Sequence, residues 1–197
     1  MNGKGRNIMC NWYAVLPANY IVAERVCFQE IRTGFLRDLA VILPGLVQVV
    51  LGCVLVRLSA IQVVLSAVIL GVGTFLYLNL HEILHGIVYK VMTGQKPAFG
   101  FGKGFAYCAM PDIYISGTVA ILSTAAPLAV FCFFLSGLWV FFLCIKSWLI
   151  LPTGLLLTFH LFGCRADINL LKALGKYKHT DLLMCDRGTE QWLYLPK

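Results

Sequence analysis

Charged residues are scarce in this 197-residue chain. Asp, Glu, Lys and Arg together make up 13% of it, whereas a soluble domain usually carries about 25%. Hydrophobic residues reach 59%, more than a soluble globule of this length could bury. This composition excludes a disordered chain and a soluble nucleic-acid-binding domain, and it predicts a membrane protein.

Paired cysteines are also missing. The eight cysteines are scattered, and no two are spaced as CxxC, so the sequence predicts neither a cysteine-ligated zinc site nor a disulfide framework. The first twenty residues contain no long apolar stretch, so we expect no cleavable signal peptide. Internal repeats and low-complexity tracts are absent as well.

Long apolar runs are what the chain does have. Four of them, at 39–56, 61–91, 113–145 and 148–163, approach or exceed the roughly 20 residues that cross a bilayer. They predict an all-α membrane protein with about four transmembrane helices. Segment 21–38 mixes apolar and charged residues and is typical of an amphipathic element on the membrane surface. The predicted organisation is a cytoplasmic and interfacial segment at 1–38, a membrane core at 39–172 and a cytoplasmic tail at 173–197.

The basic residues predict an orientation. Of the 16 Lys and Arg residues, all except Arg57 and Lys146 lie before the first run, in the stretch from the last turn of the second run to the third, or after the fourth. Because positive loops stay inside, both termini and the loop at 92–112 should face the cytoplasm of a multi-pass protein in the cell membrane. The net charge of +7 then indicates anionic lipid as a partner rather than nucleic acid.

The second run contains His81-Glu82-Ile83-Leu84-His85, an HExxH pattern. Residues four apart share one helical face, so both imidazoles can reach one metal ion. Zinc lowers the pKa of a bound water to about 7, and a neighbouring glutamate can take the proton and pass it to a leaving amine. Ionisable residues inside a span are costly and usually functional. The alternative is a set of paired polar residues that bridge helices.

Catalytic zinc usually takes a third protein ligand, and the candidates are Asp167, His160 and Asp112. Counted from the external ends of the second and fourth predicted spans, His81 and Asp167 lie within about 1.5 Å of the same depth. His160 lies about 10 Å away along the helix, which favours Asp167 as the ligand and His160 as a second-layer or packing residue. Asp112 at the membrane edge is better explained as a solvated or capping residue.

The chain resembles the site-2 protease-like zincin peptidases, which are small and mostly bacterial integral-membrane proteins. The resemblance is carried by His81–Gly86 (HEILHG), a Gly/aromatic segment, a stretch ending in Ala125-Ala126-Pro127, and a late GxxxD that ends at Asp167. It implies a bacterial source and Zn²⁺ held by His81, His85 and Asp167, with Glu82 as general base and acid. The NxxPxxxLDG pattern of true site-2 proteases is absent around Asp167.

Two hairpins are predicted outside the spans. Aromatic residues alternate with small ones around a Gly-Lys-Gly turn after the second span, which predicts a short hairpin at the membrane surface. Its aromatic face is either an interfacial anchor or an edge strand that binds extended substrate; the residues concerned are Phe99, Phe101, Phe105 and Tyr107. A second hairpin is predicted around Asp186-Arg187-Gly188, and the small residues of Ser123–Pro127 are predicted to serve close helix packing.

These patterns predict an integral-membrane zinc metalloprotease that hydrolyses peptide bonds of membrane or membrane-adjacent substrates. Two other functions remain open from the residues alone. One is a transporter that handles metal ions or protons, although four spans offer little alternating-access machinery. The other is a non-catalytic membrane scaffold that metal stabilises.

Overall fold

The computed structural model describes residues 11–27, 35–101 and 106–197. The described part of the chain forms five helices and six strands. The helices are α1 (Phe35–Val56), α2 (Ala60–Thr93), α3 (Gly117–Cys144), α4 (Ile150–Gly163) and α5 (Arg165–Lys176), and the strands are β1 (Trp12–Tyr13), β2 (Tyr20–Cys27), β3 (Ala98–Phe101), β4 (Ala106–Ser116), β5 (Leu183–Asp186) and β6 (Glu190–Pro196).

The prediction of an all-α fold is wrong, because the strands form a six-stranded antiparallel sheet. Strand accounts for 22% of the structure and helix for 60%. The sheet order is β1-β4-β5-β6-β2, and β3 pairs with β4. Strand β2 occupies part of the segment predicted to lie on the membrane surface, and it pairs with β6 from the C-terminal tail. Such distant pairing leaves no local signal in the sequence.

The prediction of four transmembrane helices is also wrong. Among the described residues, α2 and α3 are the two helices long and apolar enough to cross a membrane. Helix α4 has 14 residues and is about 21 Å long, short of the roughly 30 Å hydrocarbon core. The apolar stretch of α1, Gly45–Val56, is likewise shorter. The fourth apolar run therefore ends too early to form a span.

The two predicted hairpins are present. Strands β3 and β4 pair in register from Ala98 opposite Ala109 to Phe101 opposite Ala106. Strands β5 and β6 pair from Leu183 opposite Tyr194, so the tail is part of the sheet. The sheet therefore gathers the N-terminal strands, the segment between α2 and α3, and the C-terminal strands into one layer.

Helix α2 connects the apolar helices to the sheet. Its start is fixed by a capping box, in which Ser59 and Gln62 each accept the other's backbone N–H, and it ends at Gly94 in the left-handed conformation that glycine favours. At 34 residues it is about 51 Å long, so it is longer than a bilayer core requires. Its C-terminal part packs against β4.

The buried core lies between the sheet and the ends of the helices that face it. Its members come from α2, α3, α5, β4, β5 and β6 and include Tyr89, Val119, Leu174, Ile115, Met184 and Leu193. Large apolar side chains on α2 and α3 are instead exposed along much of both helices; examples are Val68, Phe75 and Phe133. The molecule thus has a packed sheet region and an apolar helical region, and α2 runs through both.

Candidate metal centre

Three predicted ligands meet where α2 passes α5. His81 and His85 lie on one face of α2, and Asp167 lies in the first turn of α5. The His81 Nε2 atom is 3.1 Å from Asp167 Oδ2 and 3.2 Å from His85 Nε2. The His85 Nε2 atom is 3.7 Å from Asp167 Oδ1. The structure therefore brings together the three side chains that were predicted from the sequence as metal ligands.

These separations fit a single zinc ion. Zinc binds histidine nitrogen and carboxylate oxygen at about 2.0–2.2 Å in tetrahedral geometry, which separates neighbouring donor atoms by about 3.3 Å. The three observed distances lie on either side of that value. Three protein ligands also leave the fourth position open, as catalytic zinc sites do.

Hydrogen bonding sets the tautomer of His85. Its Nδ1 atom lies 2.8 Å from the main-chain carbonyl oxygen of Ser123. A carbonyl oxygen only accepts, so Nδ1 must carry the proton, and a neutral imidazole then has its lone pair on Nε2. The unprotonated nitrogen of His85 is therefore the one that faces His81 and Asp167.

A longer chain of hydrogen bonds sets the tautomer of His81. His160 Nε2 donates to the carbonyl oxygen of Leu128 over 3.3 Å, so His160 Nδ1 accepts the Tyr77 hydroxyl over 2.9 Å. The Tyr77 oxygen in turn accepts from His81 Nδ1 over 3.2 Å. His81 Nε2 is thus left without a proton. This chain of hydrogen bonds is the relay through His160. It connects His160, the predicted second-layer residue, to the ligand His81 through the Tyr77 hydroxyl.

Three electron-pair donors consequently converge in a buried place. His81 and Asp167 are each 8% exposed, and the cavity beside them is lined by no Lys or Arg among the described residues. Acceptors that face one another without a cation are costly to bury, so the arrangement fits a bound metal ion. A second possible group, His81 with His160 and Cys164, fits less well because Tyr77 already bonds both imidazoles.

Glu82 lies beside these ligands and is held by the sheet. Its Oε2 accepts the Cys108 N–H of β4 over 2.7 Å, and its side chain is half-buried. Glu82 and the three ligands line a cavity of about 360 Å³, whose lining also includes Tyr107 and Cys108. The sequence predicted the residue but not this main-chain contact, which depends on the placement of β4.

The predicted substrate-binding aromatics are not brought together. Tyr107 lines the cavity, whereas Phe101 is 82% exposed and Phe99 is 56% exposed. The Phe99 ring lies against Gly86, where an added Cβ would come within 2.5 Å of it. Phe105 lies outside the described residues. The third ligand candidate, Asp112, is exposed on β4, in agreement with its interpretation as a solvated residue.

A buried carboxylate that also lines the cavity was not predicted from the sequence. Asp186 accepts hydrogen bonds from the Tyr89 hydroxyl, the Gly188 N–H and the Gln191 amide. Burial raises the pKa of Asp186, and these three donors oppose that shift. The carboxylate ties the β5–β6 turn to α2. The turn approaches Tyr107 closely at Gly188, which has a positive φ of 82°.

Comparison with known proteins places the chain in a family. Residues 74–182, more than half of the chain, match the model of a family described as "Putative zincin peptidase". The chain belongs to this zincin family. The three predicted ligands fall inside the matched range, and so do Glu82, Tyr77 and His160. No curated protein and no solved structure matched the chain.

Proposed function

We propose that this protein is a membrane-embedded zinc peptidase whose metal ligands are His81, His85 and Asp167. The observation that carries the proposal is the convergence of three unprotonated donor atoms within 3.1–3.7 Å, next to a glutamate that lines the same cavity. Membership of the zincin family supports zinc as the ion. The order of the ligands, two on one helix and an aspartate on a later one, supports a site-2 protease-like arrangement.

Zinc bound at this place would acidify a water molecule and polarise the scissile carbonyl. Glu82 is the residue that moves the proton. Its Oε2 is held by the Cys108 N–H, so we assign Oε1 to take the proton from the attacking water and deliver it to the leaving nitrogen. The main-chain hydrogen bond fixes the direction of the carboxylate, and that is what an efficient proton transfer needs.

The cavity's shape and neighbours favour an extended substrate. Its roughly 360 Å³ can hold a short extended segment, and helical carbonyls would be bonded and shielded. Strand β3 pairs only with β4 among the described strands, so its other edge is available for strand addition. We therefore propose peptide segments of membrane or membrane-adjacent proteins as substrates, with Phe99, Phe101 and Tyr107 as contacts near the path.

Chelation tests the peptidase proposal. Purified protein should contain about one zinc ion per chain and cleave an extended apolar peptide. Treatment with 1,10-phenanthroline should abolish cleavage and added Zn²⁺ should restore it, as measured by mass spectrometry of the products. An inhibitor of serine and cysteine proteases serves as the control and should change nothing. Cleavage that survives complete removal of the metal would contradict the proposal.

We also propose that the apolar helical region, to which α2 and α3 belong, is embedded in the cell membrane with the sheet on the cytoplasmic side. Both helices expose large apolar side chains, and the sheet contains the strands before α2, between α2 and α3, and after α5. Those parts of the chain carry most of the Lys and Arg residues, so the positive-inside rule supports this orientation.

Membrane fractions test the location. The full chain should remain in the pellet after extraction with alkaline carbonate and become soluble in detergent, because exposed apolar helices need a lipid or detergent environment. In a background in which the exposed Cys144 is replaced by serine, a cysteine-reactive, membrane-impermeant reagent should label a cysteine placed at Asp181 only after the cells are opened. Release of the protein by carbonate, or labelling of intact cells, would contradict the proposal.

A further inference from the structure

Pro127 occupies an unusual position, the interior of a long apolar helix. Helix α3 runs from Gly117 to Cys144 without interruption, and Pro127 lies inside it and is buried. In a regular helix the N–H of residue 127 would donate to the carbonyl oxygen of residue 123. Proline has no N–H, so the Ser123 carbonyl loses its partner inside the helix.

The carbonyl that Pro127 leaves unpaired is the one that bonds a metal ligand. His85 Nδ1 donates to the Ser123 carbonyl oxygen over 2.8 Å. We propose that Pro127 is a positioning residue that frees this carbonyl, and thereby fixes the tautomer and ring orientation of His85 for zinc. The inference rests on the proposed function, since it assigns a role in the same metal centre.

The side chains around Ser123 support this explanation over simple close packing. The Ser123 and Thr124 hydroxyls both donate back to the Ala120 carbonyl, over 3.1 Å and 2.8 Å. Both hydroxyls are therefore hydrogen-bonded within α3, and the α3 group that bonds His85 is the main-chain carbonyl of Ser123. Ser123 is fully buried, so water cannot easily replace the imidazole as the partner of its carbonyl.

The decisive variant is Pro127→Ala, which restores an N–H that competes with His85 for the Ser123 carbonyl. Loss of such an outer partner typically weakens metal binding by about 10–100-fold, and we expect a loss of zinc affinity in that range. The measurement is competition with a chromophoric chelator in detergent. Because alanine favours a helix interior over proline, the metal-free protein should not become less stable to heat.

Pro152→Ala is the matched control. Pro152 is also buried in an apolar helix, but it lies in the first turn of α4, where the missing N–H would have no partner within the helix. Its zinc affinity should equal that of the wild type. The visible spectrum of the Co²⁺-loaded protein should change in Pro127→Ala and stay the same in Pro152→Ala, because only the first alters the His85 environment.

A backbone ester at position 127 separates the missing N–H from the proline ring. The α-hydroxy analogue of alanine, introduced by nonsense suppression, lacks the N–H and should bind zinc more tightly than Pro127→Ala, close to the wild-type affinity. The inference is overturned if Pro127→Ala binds zinc as the wild type does, or if the ester is as weak as Pro127→Ala. A wild-type protein that binds no zinc would overturn the proposed function as well.

Discussion

Glu82→Gln is expected to lower the rate of peptide hydrolysis by about 10²–10⁴-fold, the contribution typical of general acid–base catalysis, while zinc binding is retained. The amide cannot take a proton from the attacking water, whereas the three proposed ligands are unchanged. The measurement is kcat for an extended peptide, together with the zinc content of the same preparation. A variant that retains zinc and full activity would remove Glu82 from the mechanism.

The substitution removes the proton acceptor without moving the side chain, because glutamine preserves the hydrogen bond that holds it. The Cys108 N–H donates to Glu82 Oε2, and the carbonyl oxygen of a glutamine can accept the same hydrogen bond. Asp112→Asn is the matched control. It makes the same chemical change at an exposed position on β4, and it should leave both kcat and zinc content at their wild-type values.

The position of the candidate site could be predicted because it depends on helical geometry. Because His81 and His85 are four residues apart, they lie on one face of α2 wherever that helix begins and ends. The proximity of Asp167 followed from counting the helical rise along two apolar runs. The two side chains lie close together although α4 ends at Gly163 and Asp167 lies on α5.

The sheet could not be predicted, because its pairing is distant in the sequence. Arg25 of β2 donates to Glu190 of β6, 165 residues further along the chain. Strand β2 carries Glu24 and Arg25, and that mixture of charged and apolar residues suits an amphipathic helix at a membrane surface as well as an edge strand. Nothing local to the segment distinguishes the two before the partner strand is known.

The contacts that orient the histidines needed the structure for a related reason. Pro127 was visible in the sequence, but its effect depends on which side chain lies opposite the Ser123 carbonyl. Nothing in the sequence marked Tyr77 as part of the site except its position one helical turn before His81. The relay through His160 joins α2, α4 and α3, and such packing between helices is not encoded in the spacing of any one of them.

Asp167→Asn is expected to change stability in opposite directions with and without zinc. In the metal-free protein the buried Asp167 carboxylate faces His nitrogens that carry lone pairs, so its charge lacks a good partner. A neutral amide can donate to those nitrogens, and the metal-free melting temperature should stay constant or rise. Zinc affinity should fall by more than about 100-fold, since even outer partners of metal ligands contribute up to about that factor.

The size of the zinc effect follows from mass action. At a free zinc concentration 100 times the wild-type Kd, binding stabilises the folded protein by about 2.7 kcal/mol. A 100-fold weaker site gains only about 0.4 kcal/mol at the same concentration. The zinc-induced rise in melting temperature, about 5–11 °C for the wild type, should therefore nearly vanish in Asp167→Asn. Asp181→Asn, which changes an exposed aspartate, should keep the full rise; an equal rise in Asp167→Asn would show that Asp167 is not a ligand.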